Sequence, residues 1–418
     1  MKNKEKALQM LLERQSNPMI TYEMISVETG YGRKQLGRLS AELKQKDMIS
    51  ILTHGNTGRK PATTASDQEV SYLRVMKESY PSITIAQFRD IFMEDVILNS
   101  EMQDIVNEND LKPRSASWFR QLFIREGWES PANKPVRRNE SHVTHPIRKP
   151  RAHRGELVQI DGTPYDWFGD GRKYVLHLAV DDATSEALSG WFMPTECTRG
   201  YARMMRELLD RHGIPEALYS DKDAVFRSVK SGGPSQFAEM IETLKIEMIF
   251  ANSAQAKGRI ERYNGTAQNR LPNDIIRHHL PHDYDYLNRW FNDFYIKYLN
   301  RKFSFPPEDH RDAFKPILDE FDYGAIFRIH ESRQIRRGHF SLGKVYYSAF
   351  TADGELLDLL DGTKVDVNID ALTDEIYIER YGKHYTCMKV GEKRRDELFE
   401  VDSQKQLNDL LNEQRWKK

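Results

Sequence analysis

From Glu156 onward the chain alternates in a set order: strand, strand, strand, helix, strand, helix, strand, helix. That order constrains its fold more than any other feature. The expected strands are Leu157–Asp161, Tyr174–Asp181, Ala187–Pro194, Ala217–Ser220 and Glu247–Ala251. The expected helices are Thr198–His212, Ser235–Leu244 and Ala254–Asn269. Three consecutive strands followed by helix–strand alternation suggest an α/β core, a mixed sheet flanked by helices.

Three acids occupy marked places in this order. Asp161 closes the alternating run Glu156–Ile160, which then breaks at Gly162-Thr163. Asp221 closes the apolar run Ala217–Ser220, with Asp223 two residues on as a rival. Glu261 falls in Ala254–Thr266, which reads as the start of a helix. A lone Asp at a strand end is ordinarily a turn residue or a cap, but three such contexts in order within one α/β pattern suggest chemistry. Cleaving a phosphodiester requires neutralising its charge and activating a nucleophile. Two divalent ions roughly 3.5–4 Å apart accomplish both. Mg²⁺ favours carboxylate oxygens, so Asp161 is the candidate bridging ligand, with Asp221 and Glu261 each holding one ion. On the expected helix Lys257, Glu261, Asn264 and Gln268 share one face. Lys257 is a candidate partner for Glu261 or for DNA phosphate, and Arg259 and Arg262 point elsewhere as candidate DNA contacts.

The flanks have a different character. Residues 5–46 suggest three short helices, with Thr21 capping the second, Gly30 in the turn and a basic third helix from Arg33 to Lys46. Leu36, Leu39 and Leu43 share one face of that helix, leaving Arg33, Lys34, Gln35 and Arg38 for DNA. This is the helix-turn-helix plan, or else a plain three-helix bundle with a solvated basic face. Residues 54–64 form a linker whose Arg59 and Lys60 suit a phosphate backbone. A second helical unit (65–128) has candidate capping residues at Ser66, at Thr84 and at Ser115 or Ser117, with Arg114 and Arg120 facing out. It is either another helix-turn-helix or a helical spacer. Residues 129–154 are Pro-rich and basic, an extended connector in which Arg137, Arg138, Arg148, Lys149 and Arg151 are candidate phosphate contacts. After the core, 281–330 is a helical, aromatic connector, 331–392 is read as short strands forming a small β-barrel, and 393–418 as a helical tail.

Composition sets the outer limits. The chain has 418 residues, room for several domains, and a net charge of −1, so only the local basic stretches speak for nucleic acid. Cys197 and Cys387 fit neither a zinc spacing nor a disulfide framework. No apolar run suits a membrane span and no signal-peptide core follows the charged start, so a soluble, cytoplasmic, nucleoid-associated protein is expected.

Taken together, Gln159-Ile160-Asp161-Gly162-Thr163, Ser220-Asp221-Lys222-Asp223-Ala224-Val225-Phe226 and Ala256-Lys257-Gly258-Arg259-Ile260-Glu261-Arg262-Tyr263-Asn264 resemble the D-D-E transposases and integrases. The likeness is to bacterial insertion-sequence transposases with an RNase H-like, integrase-type core, and it covers roughly residues 155–275. The Gly-x-Ile-Glu-Arg-x-Asn run is its most specific part. Thirty-nine residues separate Asp221 from Glu261, more than in many relatives, and Ser228–Pro234 reads as the loop that absorbs the excess. The resemblance implies Mg²⁺- or Mn²⁺-dependent hydrolysis at transposon ends and direct attack of the freed 3′-hydroxyls on target DNA. It also implies N-terminal recognition of terminal inverted repeats, and a homo-oligomer that brings two ends together. An RNase H-like nuclease would share the metal chemistry, and a catalytically silent helix-turn-helix regulator would share the N-terminus.

Overall fold

The computed structural model describes residues 3–53, 64–131, 149–221, 225–226, 234–250, 258–317 and 321–392. Contacts divide it into two units, Met1–Val75 with Asp104–Leu111, and Met76–Gln103 with everything from Lys112 on.

In the first unit, Asn3 accepts from the Lys6 N–H and starts α1 (Lys4–Ser16). Thr21 accepts from the Met24 N–H and starts α2 (Tyr22–Thr29), which ends at Gly30. Gly30 has φ +71°, a left-handed conformation that glycine adopts without Cβ strain. The chain then enters α3 (Arg33–Leu43) and α4 (Met48–Leu52), the latter capped by Asp47. Ala7, Leu8, Leu11, Ile25, Leu36, Leu39 and Ile51 form the core. Three helices are as expected. The fourth was hidden because five residues are too few for a 3.6-residue period to show.

The next helices are α5 (Asp67–Ser79), α6 (Ile85–Ile91), α7 (Gln103–Glu108) and α8 (Ala116–Glu126). A π-helical turn, Phe92–Ile97, continues α6. Thr84 and Ser115 cap α6 and α8 as their sequence positions suggested. Phe88, Phe92, Phe119 and Phe123 pack edge to face between them, with centroids 5.3–5.8 Å apart.

The central sheet follows. After β1 (His153–Arg154) come β2 (Val158–Tyr165), β3 (Tyr174–Asp181) and β4 (Ala187–Met193), then α9 (Thr198–His212) and β5 (Ala217–Ser220), then α10 (Gln236–Thr243) and β6 (Glu247–Phe250). Spatial order is β4-β3-β2-β5-β6, antiparallel through β2 and parallel from β2 to β6. The mixed sheet is therefore as expected, with one correction. The strand of Asp161 does not break at Gly162-Thr163; it runs on to Tyr165, paired throughout with β3. What stops near Asp161 is the pairing with β5, whose last register pair is Gln159 with Tyr219.

Each face of the sheet is covered. Val158 and Ile160 pack on Tyr201, Met205 and Leu208 of α9 and Phe237 and Ile241 of α10. Leu176, Leu178 and Val180 pack on Ile260, Tyr263, Ala267 and Leu271 of α11 (Gly258–Arg277). Helices α12 (Tyr284–Trp290) and α13 (Ile296–Phe303), joined by a π-helical turn, run along edge strand β4. Asn288, Asn292 and Asn300 accept from the Phe192, Gly190 and Ala187 N–H groups at 2.7, 3.0 and 3.0 Å. An edge whose N–H groups are met by side chains cannot recruit another strand.

Beyond β7 (Asp309–Asp312, paired with β1) and the short α14 (Tyr323–Ile326) lies a six-stranded antiparallel sheet. Its strands are β8 (Arg328–Gln334), β9 (Phe340–Leu342), β10 (Val345–Phe350), β11 (Lys364–Asp370), β12 (Ile376–Arg380) and β13 (Lys383–Glu392). The order is β8-β11-β12-β13-β10-β9, and a bridge between Arg336 and His339 links the two ends, so the sheet nearly closes on itself. Ile335, Phe340, Ala349, Val367, Ile378 and Cys387 fill it. Strand β8 starts within the stretch read as the helical connector, at Arg328, because Arg328-Ile329-His330-Glu331-Ser332-Arg333-Gln334 has almost no apolar alternation. The described residues include no helix long and apolar enough to cross a membrane, and both cysteines are free.

Candidate active site

Strand β2 and helix α11 meet in a ladder of polar side chains. Side chains alternate along a strand, so Gln159, Asp161 and Thr163 share the face toward α11. The Ile260 N–H donates to Gln159 Oε1 at 3.1 Å, Asn264 Nδ2 donates to Asp161 Oδ2 at 2.9 Å, and Gln268 Nε2 donates to Thr163 Oγ1 at 2.8 Å. Two strand residues advance about 6.6 Å and four helix residues about 6 Å. The rungs therefore stay in step over three repeats, which is why residues at i, i+4 and i+8 on α11 find residues at i, i+2 and i+4 on β2.

The N-terminal end of α11 is anchored separately. Arg259 pairs with the fully buried Asp182 at 3.0 Å, and Gln159 Nε2 donates to the same carboxylate at 2.7 Å. The guanidinium read as a DNA contact is thus engaged within the fold.

Asp221 follows β5 directly and is half-buried, like Asp161. The last parallel register pair, Gln159 with Tyr219, lies two residues before each acid, and both carboxylates act on the phenol of Tyr201. Glu261 occupies the first turn of α11, exposed, three residues before the Asn264 that holds Asp161. Among the described residues no group of three or more His, Cys, Asp or Glu is disposed to hold a metal ion. The ladder thus brings Asn264 to Asp161, and β5 ends with Asp221 on the neighbouring strand, while the described carboxylates do not gather into a group of three. Lys257 and Asp223 lie outside the described residues.

A fourth carboxylate stands near the first two. Glu196, in the loop between β4 and α9, accepts from the Tyr201 hydroxyl at 2.6 Å. Burial pushes that phenol well above its ordinary value, and the negative charges of Glu196, Asp161 and Asp221 push it further. Gly162 makes the approach possible, since a Cβ there would lie 2.6 Å from Glu196 Oε1. The sequence signal for Glu196 was weak: one acid after a proline, in no apolar run. On the other face Asn264 is buried, and its Oδ1 has no hydrogen-bond partner.

The remaining candidates for DNA contact are scattered. Arg33, Lys34, Gln35 and Arg38 are exposed on α3, with Gln35 Oε1 also accepting from the Gly32 N–H. Arg120 and Arg262 are exposed, and Arg114 stacks on Trp118. Lys149 pairs with Glu308 and Arg151 with Glu156. Arg59, Lys60, Arg137, Arg138 and Arg148 lie outside the described residues.

With that geometry in place, the chain can be set beside known proteins. It is 27% identical over 308 residues to the transposase for insertion sequence IS1202 of Streptococcus pneumoniae, covering 68% of this chain and 65% of that one. It is 36% identical over 196 residues to y4bF of Sinorhizobium fredii, which is named as a transposase candidate, covering 46% and 42%. The resemblance to transposases read from the sequence is thus shown, although the match spans less than two thirds of either relative. No protein-family model matches. Among solved structures, the HTLV-2 integrase catalytic core domain in complex with magnesium is similar at 23% identity, over 34% of this chain and 88% of that one, with a TM-score of 0.27. A simian T-cell lymphotropic virus intasome in complex with a PP2A regulatory subunit is similar at 13%, over 70% and 97%, with a TM-score of 0.30. Spatial likeness that loose carries no further argument.

Proposed function

We propose that this chain is a transposase that binds the terminal inverted repeats of an insertion sequence, hydrolyses DNA at the element ends and joins the 3′-hydroxyls to target DNA. The observation that carries this reading is that Asp161 on β2 and Asp221 at the end of neighbouring β5 both act on the Tyr201 phenol, with α11 tied to Asp161 through Asn264. The transposase relatives support it independently.

The donor set suits Mg²⁺ or Mn²⁺ in kind, being hard carboxylate oxygen. The orphaned, buried Asn264 Oδ1 beside Asp161 is what a site meant for a cation or its water would leave. Asp161 and Asp221 would hold the ions from the sheet and Glu261 would join from α11. Two such ions would neutralise charge at the scissile phosphate and make the attacking hydroxyl more acidic. The protein's own contribution is position: β2 fixes Asp161, and Asn264 orients its carboxylate. Arg262, exposed one residue past Glu261, would meet a phosphate of the bound strand.

In the first unit α2, the turn at Gly30 and α3 would act as a helix-turn-helix, with Arg33, Lys34 and Arg38 in the major groove. Joining two ends requires two copies, hence a homo-oligomer. The test is a Mg²⁺-dependent nicking and strand-transfer assay on duplexes carrying the element's ends, comparing the native chain with Asp161→Asn. Joined products that vanish in the variant while end binding persists support the proposal. Cutting without joining would favour a nuclease, and binding without either would favour a regulator. Cutting that survives Asp161→Asn would refute the assignment.

A further inference from the structure

A cavity of about 760 Å³ lies where the polar ladder runs out. Tyr165, the last residue of β2 and on the same face as Asp161 and Thr163, forms part of its wall. Gln268, Asn269 and Asn273 of α11 form the opposite part, beyond the rung at Asn264. Trp128 and Ser130, which follow α8, complete it. The cavity thus lies one rung past Thr163, at the end of the strand face that carries Asp161.

The geometry points to this cavity as a receptacle for an unpaired nucleobase of the DNA strand that lies at Asp161. The inference rests on the proposed function and adds a strand-separated end to it.

Three observations argue for that occupant. The first is distance: Asp161 to Tyr165 is four strand residues, about 13 Å. A strand whose phosphodiester sits at Asp161 covers that in about four stacked steps of 3.4 Å, and in fewer if the bases are unstacked. The volume lies within the range of small-ligand sites, about 300–1,000 Å³, which admits a base or two and excludes a duplex.

The second is charge. The cavity has no Lys or Arg in its lining, and its charged residues are Glu129 and Asp166. A phosphate would be repelled there, whereas a neutral base with an exocyclic amine would be received. Gln268 Nε2 and Asn269 Nδ2 are already spent on Thr163 Oγ1 and the Gly265 carbonyl, at 2.8 and 2.7 Å. Their amide oxygens are acceptors, again suited to an amino group. Aromatic rings at Trp128 and Tyr165 supply surfaces on which any base can stack.

The third is an unmet polar group. Ser130 is only 6% exposed, and its hydroxyl has no hydrogen-bond partner. Folding leaves such a group unsatisfied at a cost, and a base whose entry shifts the lining enough to uncover this hydroxyl would offer it a ring nitrogen or keto oxygen.

The test uses the full chain in chelator, so that binding is read without cutting. Three probes are compared: a blunt duplex, and the same duplex with a single-stranded 3′ tail of adenine or of thymine. Stacking of one base predicts about a tenfold preference for the adenine tail over the blunt end, with thymine between them. In an adenine tail carrying 2-aminopurine, fluorescence should fall on binding. Tyr165→Ala and, separately, Asn269→Leu should remove most of the preference while leaving blunt-duplex affinity unchanged. Asn269 is exposed, so its variant keeps the test valid if Tyr165→Ala disturbs the fold. Equal affinity for tailed and blunt duplexes, or a preference that survives Asn269→Leu in folded protein, overturns this inference alone. Failure of every duplex to bind overturns the proposed function as well.

Discussion

Past the Arg259–Asp182 pair that anchors its first turn, the two halves of α11 treat charge differently. In the first half, neutral amides at Asn264 and Gln268 reach the strand of Asp161, and Glu261 and Arg262 stand in solvent. In the second half, Arg270 and Arg277 are almost buried, and acids of α6 and its π-helical turn surround them. Arg270 pairs with Asp90 at 2.8 Å, and Arg277 pairs with Glu94 at 3.1 Å and more closely with Asp95. Lys302 of α13 reaches Asp90 at 2.9 Å and Glu94 at 2.7 Å. Gln87 Nε2 donates to the Arg270 carbonyl at 2.8 Å, and Asn273 donates back to Gln87 at 3.0 Å. The comparison separates a clamp from a site. Where charges are matched within the chain, the helix is fixed to its neighbour. Where an amide holds the carboxylate, as Asn264 holds Asp161, the contact leaves its charge in place.

Breaking the clamp should have the largest effect on folding. Arg277→Met leaves Asp95 without its main partner, takes from Glu94 a second partner beside Lys302, and leaves the buried Asp274 with less compensation. Removing one member of a buried ion pair costs about 3–5 kcal/mol, discounted here because Asp95 and Glu94 are partly exposed. A loss of about 3 kcal/mol in urea unfolding is expected. A loss under about 1 kcal/mol, the range of a surface pair, would mean that the clamp contributes little.

The pH dependence of stability should sharpen the same contrast. Burial holds the His177 imidazole well below its ordinary value, from 6.5 to about 4, against a hydrogen bond to the Trp191 carbonyl. The unfolded chain binds this proton first, so stability is full above pH 6.5 and falls between pH 6.5 and about 4. Burial alone would raise Asp90 and Glu94, but hydrogen bonds from Lys302, with Arg270 or Arg277, hold both below their ordinary values. Their contribution is present above the unfolded carboxylate range, about pH 4, and is lost as pH falls further. Two successive losses are expected in urea midpoints measured against pH. His177→Gln should remove the upper one and Asp90→Asn should weaken the lower. A profile that is flat from pH 7 to 4 would sink the first assignment.

Much of this was legible in the chain, and what was hidden has physical reasons. The sheet order and the helix of Glu261 could be read because apolar period and length survive in the sequence. Where Asp161 lies along its strand could not, because Gly162-Thr163-Pro164 looks like a break until β3 is seen to pair with it. The asparagines that meet edge strand β4 have no local signature, since their partners lie about 100 residues away. Glu196 was missed for the same reason: only folding brings it to Tyr201 and Gly162. The acids of α6 and its π-helical turn carry no local sign of their partners, since Asp90 and Glu94 turn toward arginines that come 180 residues or more later.

Single rungs of the ladder give the smallest effects and the finest test. Asn264→Leu keeps the volume and removes the amide that orients Asp161. Partners of a ligating carboxylate typically contribute 10–100-fold in metal affinity, so Mn²⁺ binding followed by titration should weaken about tenfold, with little change in unfolding free energy. Gln268→Leu removes only the rung to Thr163, a neutral hydrogen bond worth about 1 kcal/mol. Thr163 holds no charge, so that variant should lose this stability and keep its Mn²⁺ affinity within about twofold. If the two variants weaken Mn²⁺ equally, the ladder positions the whole helix rather than Asp161 in particular. If neither does, the first half of α11 is a packing surface like the second, and the distinction between its halves disappears.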